Sequence, residues 1–207
     1  MFEGSTIPWR DNIFVHLADN YHTPEKAPWA ESEMLEKVAN RADAHRSTLL
    51  GNSAPELELP AEGGDTKSLY AIQSPYTLLY LYSPNCKTCK VATPKVFELW
   101  KQYKDNGLAA YAVSTDGLKD NWKAFIKKEN LTWTNVIEMD PNETNLDGKY
   151  VPHELPNIYM LDSTKTIIGR RLSFEELAKS AVRSSTLIFS FTPLLKVSNP
   201  GKLTFTL

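Results

Sequence analysis

The apolar residues of this chain gather in short runs separated by helical repeats. Y-T-L-L-Y-L-Y, at 76–82, is almost continuously apolar and rich in aromatics. Such a run suits a strand covered on both faces, as in a parallel sheet. L-A-A-Y-A-V-S, at 108–114, predicts a second buried strand, and W-T-N-V-I-E, at 133–138, a third. Helical patterns lie between them. One runs from about Lys87 to Asp105 and is stopped by N-G, with Gly107 in the left-handed cap position. Another, L-K-D-N-W-K-A-F-I-K-K-E at 118–129, turns Trp122, Phe125 and Ile126 inward. D-P-N-E-T, at 140–144, has the caps of a short helix. P-N-I-Y-M-L-D, D-S-T-K and T-I-I-G-R-R, from 156 to 171, read as a hairpin. S-F-E-E, at 173–176, is a capping box opening a last helix.

The first fifty residues are different. D-N-I-F-V-H-L-A-D-N-Y, 11–21, puts Ile13, Phe14, Leu17 and Tyr21 on one helical face. A-E-S-E-M-L-E-K-V-A-N-R-A-D, 30–43, does the same with Met34, Leu35, Val38 and Ala42, and Pro24 and Pro28 break the chain between them. Two helices make a poor core, so this segment is expected to dock on the remainder or to end a larger helical domain. The pattern changes at Gly51. A-P-E-L-E-L-P, 54–60, alternates like a strand, and E-G-G-D is a turn. Strands alternating with helices, then a closing hairpin and helix, predict an α/β sandwich. Three divisions follow: a helical segment over 1–50, an α/β domain over 51–180, and a tail over 181–207. The tail lacks acidic residues, is rich in Ser, Thr and bulky apolars, and is either an added strand or an unrelated terminus.

Composition narrows the function. The 207 residues are 42% hydrophobic and 23% charged, ordinary for a globular chain. A net charge of −2 supplies no basic field for phosphates, so nucleic acid is not expected as a partner. No run reaches the roughly 18 apolar residues of a membrane span. M-F-E-G-S-T-I-P-W-R shows no basic region followed by an apolar one, so no signal peptide is expected in it.

The chemistry is expected at Cys86 and Cys89, the only two cysteines, in S-P-N-C-K-T-C-K. They follow a buried strand and open a helix, which is the context of a redox-active C-x-x-C. Unpaired N–H groups and the dipole at a helix N-terminus favour a thiolate at Cys86, and Lys87 adds a positive charge. Cys89, deeper on the same face, is expected to be shielded. Three plainer readings compete. A zinc site needs four ligands, and His16, His22, His45 and His153 are scattered. A structural disulfide between near neighbours gains little. Two inert buried thiols are the third.

Y-L-Y-S-P-N-C-K-T-C-K-V-A-T-P-K-V resembles the active-site segment of thioredoxin-like proteins, and most nearly the TlpA-like branch of the AhpC/TSA (redoxin) superfamily. The resemblance runs from about Gly51 to Ala178, with G-N-S-A-P-E-L-E-L-P similar to that branch's leading hairpin and residues 116–138 in place of its extra helix and strand. It implies a thioredoxin-like fold, a central mixed sheet flanked by helices. It also implies a thiol–disulfide oxidoreductase, a reductase in preference to an oxidase, that exchanges disulfides with protein substrates and needs no cofactor and no metal. An upstream electron donor and membrane-associated partners are implied with it. Pro94 matches a proline that kinks the active-site helix. Pro156 matches the family's cis-proline, where Leu155 would offer backbone groups to the substrate. Tyr82, Ser83 and Pro84 are expected to shape the rim around Cys86.

There are departures. Many thioredoxins bury an aspartate where this chain has Tyr80, and TlpA-like members often carry a glutamate where it has Ala92. Asp116 and Glu154 are candidate substitutes, though solvated loop positions are expected for both. His153, close before Pro156, is expected to be an exposed loop residue that would tune the thiolate only if it turned inward. A thiol peroxidase of the AhpC/TSA type is one alternative function, but the peroxiredoxin pattern P-x-x-x-[ST]-x-x-C is lost because residue 79 is leucine. A non-catalytic binding module on the same fold is another. The branch implies the periplasm or cell envelope, which would require a leader that this sequence does not show; a cytoplasmic protein is the alternative.

Overall fold

The computed structural model describes residues 10–140, 146–150 and 155–177. A five-stranded sheet lies at its centre, in the order β5-β4-β3-β6-β7. The strands are β3 (Tyr76–Tyr82), β4 (Leu108–Ser114), β5 (Thr134–Ile137), β6 (Asn157–Asp162) and β7 (Ile167–Arg170). β3, β4 and β5 run parallel, and β6 and β7 pair antiparallel beside β3. A short hairpin, β1 (Glu58–Pro60) with β2 (Thr66–Ser68), precedes them.

Strand alternation decides what each face touches. Leu78, Tyr80 and Tyr82 of β3 point one way, with Leu108, Ala110 and Ala112 of β4 and Ile158 and Met160 of β6. Onto this face pack α3 (Lys87–Tyr103) and α4 (Lys119–Glu129), through Val96, Phe97, Trp100, Trp122, Phe125 and Ile126. Leu79 and Leu81 point the other way, with Tyr111, Val113, Tyr159 and Leu161, onto Leu57, Leu59 and Leu69 of the hairpin region and Tyr150 beyond α5 (Leu146–Lys149). Among the described residues both long helices of the domain therefore cover a single face, and the opposite face is closed by the hairpin. Burial on both faces is why the strands read as continuous apolar runs.

α3 ends in a 3₁₀ turn at Lys104–Asn106, and Gly107 takes φ 91°, as its sequence predicts. Ser173 and Glu176 form the predicted capping box: the Ser173 N–H and hydroxyl both donate to the Glu176 carboxylate at 2.8 Å. The expected short helix at 140–144 falls largely outside the described residues, as do the tail and the first nine residues.

The N-terminal helices α1 (Arg10–Tyr21) and α2 (Ser32–Arg46) pack on each other and dock on the domain. Residues 51–54 run along the open edge of β7: Gly51 N–H donates to the Ile167 carbonyl (2.9 Å), and Ile167 N–H to that of Asn52 (2.8 Å). An edge covered in this way cannot recruit another strand. Beside it Arg170, 4% exposed, pairs with Asp11 of α1 at 3.2 Å and contacts His45 of α2. The predicted inner face of α1 needs correction. Val15 and Ala18 are buried against Ala42, with Phe14 of the predicted face packed on them and Leu17 half-buried, whereas Ile13 and Tyr21 are more than half exposed. The small residues allow close helix approach, and Asp11 must face inward to meet Arg170. Met34 of α2 is likewise exposed, while Leu35 and Ala42 are buried. No helix among the described residues is long and apolar enough to cross a membrane.

Candidate active site: a dithiol at the carboxyl ends of β3 and β4

Parallel strands end together, and the crevice beyond their carboxyl ends is where α/β sheets place reactive groups. β3 stops at Tyr82, a three-residue loop follows, and Cys86 is the N-cap of α3. Its backbone is extended (φ −70°, ψ 124°), and its sulfur accepts the N–H of Cys89 at 3.4 Å. Both cysteines are free thiols; Cys86 is half-buried and Cys89 fully buried.

The two thiols are pushed in opposite directions. Partial burial alone would raise Cys86. That is more than offset by the backbone and side-chain groups of Cys89 and Thr88, which hold its thiol below the ordinary value. Cys89 is pushed up to about 12, first by burial and then by its neighbour's sulfur. A half-buried sulfur favoured as thiolate therefore sits beside a buried, protonated one. Lys87, expected to help, is exposed, and it is absent from the leading influences on Cys86. Backbone and side-chain groups of the first turn of α3 share the effect.

β6 brings the second wall. Its antiparallel register with β3, ending at Leu81 opposite Asn157, delivers Leu155 and Pro156 to the dithiol. The Leu155–Pro156 peptide is cis, and the Leu155 carbonyl lies 3.9 Å from the Cys86 sulfur. Pro94 sits inside α3, where it removes one backbone donor. The expected rim is a floor instead: Tyr82, Ser83 and Pro84 are all buried, and the residues on either side of Cys86, Asn85 and Lys87, are exposed.

At the position noted as a departure from the family pattern, the Tyr80 hydroxyl and that of Thr93 are hydrogen-bonded at 2.9 Å in a fully buried pair, the Tyr80 ring stacked on Tyr82 at 5.4 Å. Ala92 is half-buried and offers no polar group. Asp116 is not the solvated loop residue its type suggests. One oxygen accepts the Ser83 hydroxyl and the Asn85 amide, each at 3.0 Å. The other accepts the Ser114 hydroxyl at 3.2 Å and the Leu118 N–H at 3.4 Å. Asn121 of α4 donates to the Asn85 side-chain oxygen at 2.8 Å. Ser83 was expected at the rim but not as a partner of Asp116, and Asn85, Ser114 and Asn121 had no sequence signal beyond Asn85's place next to Cys86. Pro152, His153 and Glu154 lie outside the described residues. Of the other histidines, His45 is buried far along the chain beside Arg170. No group of three or more His, Cys, Asp or Glu among the described residues is placed to hold a metal.

Residues 50–188 match the AhpC/TSA family. Among curated proteins, the chain is 24% identical over 121 residues to a thiol-disulfide oxidoreductase ResA of Bacillus cereus, covering 58% of this chain and 68% of that one. It is 29% identical over 100 residues to the ResA of Oceanobacillus iheyensis, covering 46% of this chain and 52% of that one. Among solved structures, a domain of a possible thiol-disulfide isomerase from Cytophaga hutchinsonii superposes with a TM-score of 0.61 at 30% identity, covering 66% of this chain and 93% of that one. A thioredoxin-like protein from Bacteroides caccae, 19% identical, reaches 0.69 over 84% of this chain and 62% of that one, a likeness of fold.

Proposed function

The chain belongs to the AhpC/TSA family, and from that premise we propose that it is a thiol–disulfide oxidoreductase whose nucleophile is Cys86 and whose resolving thiol is Cys89. The observation that carries the reading is the placement of the Cys86 sulfur. It caps α3, accepts the Cys89 N–H and faces the Leu155 carbonyl beside a cis-proline.

In the proposed cycle the Cys86 thiolate attacks one sulfur of a protein disulfide. A mixed disulfide forms, and the partner's other sulfur leaves as a thiolate. Cys89 then loses its proton and attacks the Cys86 sulfur. The Cys86–Cys89 disulfide closes, the partner leaves as a dithiol, and two electrons have passed to it. An upstream dithiol donor resets the pair. Leu155, through its backbone, would hold an extended stretch of the substrate across Cys86.

The direction we propose is reduction. Strong oxidants owe their potential to a reduced form made very stable by a deeply depressed thiol. Here partial burial works against the groups that lower the Cys86 thiol, so its stabilisation as thiolate is a difference of opposed effects. The Ser83 hydroxyl, three residues before Cys86, is engaged by Asp116, which supports disulfide exchange over peroxide chemistry. The same reading places the protein in the cell envelope with protein disulfides as substrates.

The test is a pair of variants and a potential. Cys86→Ser should abolish reduction of a protein disulfide, and Cys89→Ser should accumulate mixed disulfides that a thiol reductant releases. A Cys89→Ser variant that traps nothing would sink the two-step scheme. Equilibration in glutathione buffers should place the couple near the roughly −270 mV of thioredoxin; a value near −120 mV would reverse the direction.

A further inference from the structure

We propose that Asp116 is a positioning residue for Cys86: its carboxylate fixes the 83–85 loop so that the sulfur is held on the N-terminus of α3. The proposal rests on the thiol–disulfide reading above and concerns the same site.

The carboxylate accepts four hydrogen bonds, two on each oxygen, from three parts of the chain. Two donors, Ser83 and Asn85, belong to the loop that leads into Cys86. One, Ser114, ends β4, and one, the Leu118 N–H, opens the way into α4. Ser83 passes the constraint on. Its hydroxyl accepts the Asn85 N–H at 3.0 Å, and its carbonyl accepts the Cys86 N–H at 3.1 Å. One residue therefore separates Asp116 from the backbone of the nucleophile. Asn121 holds the other side of Asn85.

The platform beneath Asp116 is itself fixed. The Thr115 N–H donates to the Tyr82 carbonyl at 3.0 Å, and the Glu138 N–H to that of Ser114 at 2.8 Å. Gly117 takes a left-handed φ of 66°, which turns the chain directly after Asp116. A rigid base tied to a short loop is what positioning requires. The need for it is plain at the sulfur. The thiolate is stabilised through N–H groups of the first helical turn, and hydrogen bonds weaken steeply as they misalign.

The sign of the effect separates positioning from charge. A carboxylate near a thiol disfavours its thiolate, so loss of the charge alone would make Cys86 more reactive at low pH. Loss of the clamp does the opposite.

The experiment uses the full chain carrying Asp116→Ala, Asp116→Asn or Ser83→Ala. It reads the pH profile of Cys86 alkylation, the potential of the pair in glutathione buffers, and the melting temperature. The Ser83→Ala chain keeps Asp116 and loses the bridging hydroxyl, and it serves if Asp116→Ala does not fold. With positioning, Asp116→Ala and Ser83→Ala move the profile to higher pH, slow alkylation at pH 7 about tenfold and make the potential more negative. Asp116→Asn, which keeps one acceptor oxygen, falls between them and the parent. A profile in Asp116→Ala and Ser83→Ala that is unchanged, or that moves to lower pH, overturns the proposal. A parent chain with no reversible couple would instead overturn the functional reading beneath it.

Discussion

Asp11→Ala removes a single carboxylate from α1 and leaves the Arg170 guanidinium without its counter-charge. Arg170 has a side chain 4% exposed and Asp11 one 12% exposed, with 3.2 Å between their charged atoms. Arg171 lies 3.9 Å from the same carboxylate. An arginine cannot shed its proton, so the variant strands a buried positive charge. Breaking such a pair from one side costs about 3–5 kcal/mol. Asp11 keeps some contact with water, so the lower end, about 3 kcal/mol, is expected. For a chain of this length that lowers the melting point by about 6–12 °C. Replacing both partners by apolar residues, Asp11→Leu with Arg170→Met, should recover part of the loss, because the more deeply buried of the two guanidinium groups facing Asp11 is then gone. Urea titrations of the parent, Asp11→Leu, Arg170→Met and the double variant close the cycle, with Asp11→Ala measured beside them. A loss below about 0.5 kcal/mol in Asp11→Ala, the range of surface pairs, would mean that α1 does not dock on β7 through this contact.

Cys86 should be alkylated faster than an unperturbed thiol at pH 7, with a profile that levels off at lower pH, because its thiol is held below the ordinary value. Cys89 should resist the reagent until the chain unfolds. A pair that reacts alike would contradict the opposed burial. His45 is pushed down to about 4, first by burial and then by Arg170. It is therefore neutral in the fold but titrates near 6.5 when unfolded. Its contribution is whole above about pH 6.5 and is lost as the pH falls toward 4, amounting to about 3 kcal/mol at most. His45→Gln should flatten that part of the stability profile in denaturant titrations at pH 7 and pH 4.5. Leu81→Ala, on the hairpin face of the central strand, should cost about 2–5 kcal/mol by chemical denaturation. A loss under 1 kcal/mol would show that the hairpin does not seal that face.

Much of the molecule could be read along the chain. The runs at 76–82 and 108–114 are strands with those bounds, and Trp122, Phe125 and Ile126 are the inner face of α4. The C-x-x-C was placed at a helix N-terminus by its neighbours alone, and the Gly107 cap and the Ser173–Glu176 box were legible in a few residues each. These features are local. Periodicity, capping and turn chemistry act over one or two turns of chain, so a linear reading captures them.

What the linear reading missed depends on partners far apart in sequence. Asp116 meets Ser83 and Asn85 across about thirty positions, and an aspartate in a loop carries no mark of the donors that will surround it. Asp11 finds Arg170 across most of the chain, and α1 buries Val15 and Ala18 beside Phe14 while Ile13 and Tyr21 of the expected face stay exposed. Lys87 is exposed, and the 82–84 segment is buried where a rim was expected, for the same reason. A sequence shows that a charge or an aromatic is near in number, not whether it is aimed at the sulfur or buried beneath it. Which residues can be helical, and that a cysteine would cap the start of one helix, was written in the sequence, because backbone hydrogen bonding and side-chain polarity set both locally. Which side chains surround that thiol was decided when the strands paired, because packing brings together groups whose separation along the chain carries no information.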